Sequence, residues 1–494
     1  MITPLGGIDG LFLHLETRTM PMHVGSMHVY RLPRRFSGDF TTRLRHHLAE
    51  RLHLSPVFTR RLAPMPLRLS NPAWIDADRV DLAYHVREIR LPAPGDAAAL
   101  QDCVARLHAE PMDRDRPLWQ FHVLQGLDLP GCIGFYGKVH HAALDGQAAV
   151  AMVQAFLDVH ATPRAVAPPP PGPDHVPGPG PLMRAVAAHQ LQETRRVFAL
   201  LPALAKTGAR FAAESVAARL RARFSSTPPA HGAPAPTGTR DTPMFAPRTP
   251  LNVTIGRARA FAGVRVPLRR VHAITEHLGG TVNDVVLMLC SGALRDHLAA
   301  RNALPATTLF AAVPVSLRPA GDTAQNTQAT MVRMPLATDI ADPIERYAAI
   351  RSASASVKRG VGRFRDVIPA DFPSVGMPWL LPPMATLVGR ARLADRLPPL
   401  ANLVISNVPG PRVPLYLAGA RMLSYYPASI VTHGLALNIT VESYVDDLFF
   451  GLVACRHAVP DLQAVADAIA AAEAELTALG RRAAAVARRT RSAR

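Results

Sequence analysis

Lysine is nearly missing from this chain: Lys138, Lys206 and Lys358 are the only ones in 494 residues. Lys+Arg total 55 against 37 Asp+Glu, so the formal net charge of +18 is carried almost wholly by arginine. Cysteine is scarce as well. Cys103, Cys132, Cys290 and Cys455 lie far apart with no CxxC spacing, which excludes a zinc ribbon or disulfide framework and makes a reducing compartment the expectation. Long apolar runs are lacking too. The best candidate, 372–389, is uncharged but interrupted by Pro373, Pro378, Pro382 and Pro383. A spanning helix takes about 20 apolar residues, and prolines this dense break a helix. Residues 1–20 have no basic leading region, and their short apolar run is broken by His14, so no signal peptide is expected. A cytoplasmic location follows, with membrane contact limited to the surface. No GxSxG elbow occurs either, so nothing marks a serine nucleophile.

Hydrophobic residues make up 48% of the chain, enough for a large core, which excludes a disordered or fibrous protein. At roughly 150 residues per domain the length gives two or three domains. The 47 prolines are about twice the ordinary share of roughly 5%. They concentrate in 161–182 and 227–250, which read as extended connectors. Between them 183–224 is rich in Ala, Leu and Arg, a basic helix with a kink at Pro202. The expected organisation is a first domain over 1–160, a Pro-bounded connector with its basic helix over 161–250, a second domain over 251–480, and an Arg-rich tail over 481–494. Both domains mix helix and strand, an α/β (α+β) class. Strands are expected at 133–139, 309–317 and 403–406 and as a hairpin of 435–444 with 448–455. Helices are expected at 146–159, 283–297 and 462–479.

The sharpest local signal is Lys138-Val-His140-His141-Ala-Ala-Leu-Asp145-Gly146, between a predicted strand and a predicted helix. Such junctions let a scaffold aim a reactive side chain into a cleft. A second pair, His46-His47, continues into a helical pattern and reads as solvated surface. Three uses of His140, His141 and Asp145 are open. A metal site is one, though no third strong ligand stands at helical or hairpin spacing. Buried histidines bonded to backbone are another. The third is acid/base chemistry, in which an imidazole takes a proton from a hydroxyl or thiol near neutral pH and the aspartate holds the loop or the tautomer.

HHxxxDG resembles the active-site signature of the acyl-CoA-dependent acyltransferases related to chloramphenicol acetyltransferase and to peptide-synthetase condensation domains. Further segments narrow this: Pro21-Met22-His23-Val24-Gly25, Pro117-Leu118-Trp119, Asn283-Asp284, and Ser406-Asn407-Val408-Pro409-Gly410-Pro411. Together they resemble the bacterial wax ester synthase/diacylglycerol acyltransferases, from about residue 4 to about residue 458. The resemblance implies two chloramphenicol-acetyltransferase-like domains with the active site at their interface. It implies acyl-CoA as co-substrate, no cofactor and no metal, and diacylglycerol or a long-chain alcohol as acceptor. His141 is implied as general base without a covalent acyl-enzyme, His140 as shaping the site, and Asp145 as structural, paired with Arg60 or Arg61. Gly146 would allow the tight turn.

Plainer readings stand beside these. Trp119 can be a core aromatic, with Pro117 and Leu118 near the site. Asn283 and Asp284 can be an N-cap pair for the helix that follows. Asn407, Pro409 and Gly410 form a turn by their chemistry alone, and by resemblance border a substrate channel. Positive charge alone suggests nucleic acid, but no recognised module or aromatic-interleaved basic patch supports that partner. A catalytically inactive lipid-binding homologue of the same fold is the other alternative. Peripheral contact with a membrane or lipid inclusions is expected through 183–224, 481–494, or 372–389 with Trp379.

Overall fold

In the computed structural model the described residues are 2–5, 7–63, 71–144, 146–168, scattered positions from 178 to 195, 243–316, 329–364 and 381–492. Three sheets organise them. A small one joins β1 (Thr3–Pro4), β4 (Ala73–Asp76) and β3 (Arg60–Ala63). The first large sheet runs β5 (Val86–Arg90), β6 (Trp119–Gln125), β7 (Cys132–His140), β2 (His23–Arg31), β14 (Ala420–Ala428), β13 (Tyr416–Leu417), β8 (Leu157–Asp158). The second runs β11 (Ala329–Pro335), β10 (Phe310–Ser316), β12 (Leu403–Val408), β15 (Leu437–Tyr444), β16 (Asp447–Cys455), β9 (Arg259–Pro267). Both large sheets are mixed, since β5–β6, β10–β12 and β12–β15 pair in parallel.

In the first half the helices are α1 (Gly7–Leu15), α2 (Phe40–Ala49), α3 (Pro56–Thr59), α4 (Leu82–His85), α5 (Ala97–Ala109) and α6 (Gly146–Phe156). The second half has α7 (Leu268–Leu278), α8 (Val282–Ala299), α9 (Pro343–Phe364), α10 (Leu381–Arg390) and α11 (Leu462–Ser492). Strand β7 is buried almost throughout because helices cover both faces of its sheet, which is why it reads as one apolar run rather than an alternation. One core lies between α8, α11 and the second sheet. Another fills the face of the first sheet under α2 and α6. A third, on the opposite face, mixes Val104 of α5 and Met27 of β2 with Phe261 and Val453 of the second sheet, so the halves share apolar core.

The sheets do not follow a division of the chain at residues 160 and 251. Residues 416–428, placed by sequence in the second domain, form β13 and β14 and complete the first sheet, β14 pairing with β2 along its length. The crossing is possible because Gly451 and Gly263, paired across β16 and β9, leave a bare patch on the second sheet. A Cβ on Gly451 would sit 1.7 Å from the Pro427 carbonyl oxygen, and one on Gly263 2.6 Å from the Tyr426 ring. Other boundaries shift for local reasons. The connector ends before 250: Ala246 is buried and its N–H donates to the Pro399 carbonyl at 2.7 Å. The Arg-rich tail is not a separate segment, since α11 continues to Ser492 through good helix formers. Pro382 and Pro383 do not break α10; they occupy its first turn, where a missing N–H costs nothing. The helix of 183–224 lies outside the described residues beyond 195, as do Phe372 and Trp379.

His47 corrects the surface reading of its pair. It is buried, and its Nε2 is 2.8 Å from the Phe156 carbonyl oxygen, while His46 beside it is exposed. Adjacent helical residues point about 100° apart, so a His-His pair cannot share one environment.

Candidate active site

His140 is the last residue of β7. The chain then makes a 3₁₀ turn, His141–Ala143, and enters α6 at Gly146. Two motifs recognised in the sequence clamp this turn by backbone. The His140 N–H donates to the Leu118 carbonyl at 2.9 Å, and the His141 N–H donates to the Met22 carbonyl at 2.8 Å. His140 lies opposite His23 in the β2–β7 ladder. Gly25 is required there, because a Cβ would stand 2.4 Å from the Gly137 carbonyl oxygen.

His140 is 1% exposed and structurally committed. Its Nδ1 accepts from the Ala142 N–H at 3.1 Å. That places the ring proton on Nε2, which faces Glu16 Oε1 at 3.5 Å. Glu16 also accepts from the Met22 N–H at 3.0 Å and from Arg114 Nη2 at 2.7 Å. Burial works to raise the Glu16 pKa, but the hydrogen bond from His140, then Arg114 and the Met22 amide, overcome it and hold the carboxyl at about 2. Sequence reasoning missed Glu16. A usable signal was there: it is the only acid between Asp9 and Asp39.

His141 differs. It is only half-buried, and the Phe12 ring stacks on it with centroids 3.8 Å apart and planes 17° from parallel. Its Nδ1 has no hydrogen-bond partner among the described residues. Burial lowers its pKa to about 4. His141 is therefore a neutral imidazole at pH 7, in the form that accepts a proton.

Asp145 lies outside the described residues, so its pairing with Arg60 or Arg61 is not seen; Arg60 Nε is 3.8 Å from Asp76. Pro117, Leu118 and Trp119 are all buried. Leu118 packs with Leu5, Leu13 and Ala142 beneath the turn. Trp119 donates from Nε1 to the Phe58 carbonyl at 3.1 Å and stacks on His85, which makes it a core aromatic. Behind the turn, Lys138 is fully buried and donates to the Leu107 and Glu110 carbonyls at 2.7 and 2.6 Å, closing the C-terminus of α5. Burial brings its ammonium down to about 8.

The second half supplies another group. Asn283 and Asp284 are not the cap of their helix. Thr281 is the cap, and Asp284 is the third residue of a capping box, its Oδ2 accepting from the Thr281 N–H at 2.8 Å. Asn283 is left free to meet Asn407, whose Nδ2 donates to Asn283 Oδ1 at 3.4 Å. The Gly410 N–H donates to Ser443 Oγ at 2.9 Å, and a Cβ on Gly410 would lie 2.0 Å from the Ser443 carbonyl oxygen. Pro409 is exposed. Among the described residues no hydrogen bond joins this group to His140 or His141, but a strip of half-buried positions runs along interior strands of both sheets. It comprises Val24 and Ser26 on β2, Tyr425 on β14, Ser406 on β12 and Glu442 on β15. Among the described residues no cluster of three His, Cys, Asp or Glu side chains could hold a metal ion.

Comparison with known proteins agrees with the motifs. The wax ester synthase/diacylglycerol acyltransferase catalytic domain matches residues 5–286, and the WS/DGAT C-terminal domain matches residues 326–477. A Mycobacterium tuberculosis protein described as a putative diacylglycerol O-acyltransferase is 36% identical over 470 residues, covering 93% of this chain and 96% of its own. A second from that organism, a probable diacylglycerol O-acyltransferase, is 34% identical over 459 residues, covering 92% and 94%. The wax ester synthase/diacylglycerol acyltransferase of Marinobacter aquaeolei VT8 superposes with a TM-score of 0.66 at 30% identity, over 97% of this chain and 100% of that one. The first condensation domain of the calcium-dependent antibiotic synthetase shares the two-domain fold alone, with a TM-score of 0.51 and 14% identity over 97% of each chain. With family models spanning both halves and relatives matching nearly end to end, the chain belongs to the wax ester synthase/diacylglycerol acyltransferase family and is an acyltransferase.

Proposed function

We propose that the protein transfers a fatty acyl group from acyl-CoA to the free hydroxyl of diacylglycerol, and to long-chain alcohols, forming triacylglycerol and wax esters. The observation that carries this is the asymmetry of the histidine pair. His140 is buried, with Nδ1 occupied and Nε2 facing a carboxylate. His141, next in sequence, is neutral and partly open. In this reading His141 takes the proton from the acceptor hydroxyl as its oxygen attacks the thioester carbonyl carbon. The tetrahedral oxyanion collapses, the C–S bond breaks, and the imidazolium returns the proton to the CoA thiolate. No covalent acyl-enzyme and no cofactor is required. In the same reading Asp145 is structural and Gly146 allows the tight turn.

The half-buried strip between the sheets supports a channel for the acyl chains, with Asn283, Asn407 and Gly410 at its second-domain wall. The diacylglycerol O-acyltransferase names of the relatives support the acceptor class. Such acceptors are nearly insoluble, and no described helix is long and apolar enough to cross a membrane, so the reading includes peripheral contact with a lipid surface. The test is purified protein with palmitoyl-CoA, offered dioleoylglycerol and hexadecanol separately, with ester and free CoA both quantified. Ester formation with either is expected; failure with both overturns the reading in favour of a lipid-binding homologue.

A further inference from the structure

Several of the exposed large apolar side chains of the second half gather on α10 and just beyond it. On α10, Met384 and Leu387 are 57% and 61% exposed, and at i, i+3 they share a helix face. Leu397 and Leu400, just beyond α10, are as exposed, and Met244 is 73% exposed. These segments are neighbours. The Ala246 N–H donates to the Pro399 carbonyl, Arg248 Nη2 donates to the Leu397 carbonyl at 2.5 Å, and Arg248 Nη1 reaches the Ala394 carbonyl at 3.2 Å.

Exposed Arg248, Arg390, Arg392 and Arg396 border this ridge. The only carboxylate in 381–400 is Asp395, already paired with Arg392. Apolar side chains rimmed by arginines, of which Arg392 is paired with Asp395, match a layer with anionic head groups over hydrocarbon. The same ridge leads to the site: α10 packs against α1, α1 packs against the turn His141–Ala143, and Phe12 of α1 lies on the His141 ring.

We propose that the ridge formed by Met384, Leu387, Leu397, Leu400 and Met244, with its bordering arginines, docks on an anionic lipid surface and sets the α1–α10 contact, and with it His141, against the layer that holds the acceptor. The choice of a lipid layer as occupant rests on the acyl-transfer reading above. Docking itself is measured without turnover, so the two fail separately.

The experiment is vesicle flotation of the full chain with phosphatidylcholine alone and with phosphatidylglycerol added, at low and high salt. Wild type should float with the anionic vesicles in a salt-sensitive manner. Met384→Ser/Leu387→Ser and Leu397→Ser/Leu400→Ser should each lower the partition coefficient about tenfold. Arg390→Gln/Arg396→Gln should remove much of the preference for anionic vesicles. All three pairs lie on the surface and should melt as wild type does. They should keep their rate with hexanol, an acceptor in solution, while losing rate on vesicle-borne dioleoylglycerol. Unchanged flotation of all three overturns the proposal. So does a wild type that ignores vesicles but forms a dimer which the same substitutions dissociate, since the ridge would then be covered by a second copy. Flotation as expected without ester formation leaves the docking surface standing and overturns the catalytic reading alone.

Discussion

The Phe12 ring lies against the His141 imidazole, centroids 3.8 Å apart, so a residue from the first helix sets the environment of the group proposed as general base. An aromatic pair of this kind contributes about 0.5–1.5 kcal/mol beyond its buried area. Phe12→Ala should lower kcat/KM by up to about tenfold on that scale. It should also let water reach the ring. On the proposed mechanism the acid limb of the pH–rate profile reports His141 giving up its proton, and it should then move upward from about 4 toward the ordinary 6.5. A drop in rate with an unmoved acid limb would show that Phe12 only packs.

Substituting the two histidines should separate chemistry from architecture. His141→Ala should reduce kcat/KM by roughly 10²–10⁴, the range of general-base catalysis, with little change in Tm. His140→Ala removes the acceptor of the Ala142 N–H and one of the partners of Glu16. It should cost about 1–3 kcal/mol of stability and reduce the rate less. Equal rate losses on folded protein would contradict the division of roles.

Two carboxyls should pull stability in opposite directions with pH. Glu16 is held at about 2, below its usual 4.5, so the folded state binds fewer protons than the unfolded between those values. Its contribution is complete above about pH 4.5 and is lost as pH falls toward 2. Burial raises Glu442 to about 8, so the folded state binds the extra proton, and stability declines as pH rises from about 4.5 to 8. Urea denaturation across pH should show Glu16→Gln flattening the acid side and Glu442→Gln flattening the neutral-to-alkaline side. A Glu442→Gln curve parallel to wild type would mean that Glu442 is ionised in the folded protein.

Trp119→Phe tests the core assignment. The change leaves the buried Phe58 carbonyl without its donor and opens space beside His85. Stability should fall by about 1–3 kcal/mol, while KM for palmitoyl-CoA stays near wild type. A change in KM with unaltered stability would place Trp119 on a substrate path.

How much was legible varied with how local the cause was. Strand β7 and the helix after it were readable because burial on both faces and a glycine at the junction act over a few residues. The His140–His141 turn was legible as a motif, and so were its clamps at Met22 and Leu118. That those motifs reach the turn through backbone carbonyls was not, because a carbonyl carries no residue identity. The cap of α8 was misread for a similar reason: Thr281, Asn283 and Asp284 all suit a helix start, and only the backbone decides which one caps.

The sequence by itself determined the α/β class, the motif-bearing turn and the family resemblance, since these depend on residue type at short spacing. Tertiary structure decided that β14 crosses into the first sheet, a pairing of residues nearly 400 positions apart that no local pattern encodes. It also decided which histidine is free. His140 and His141 are chemically identical, and what separates them is that Glu16 and the Ala142 amide meet one ring while Phe12 and a half-open space meet the other. Burial and hydrogen-bond geometry assign a proton, and both exist only after the chain has folded.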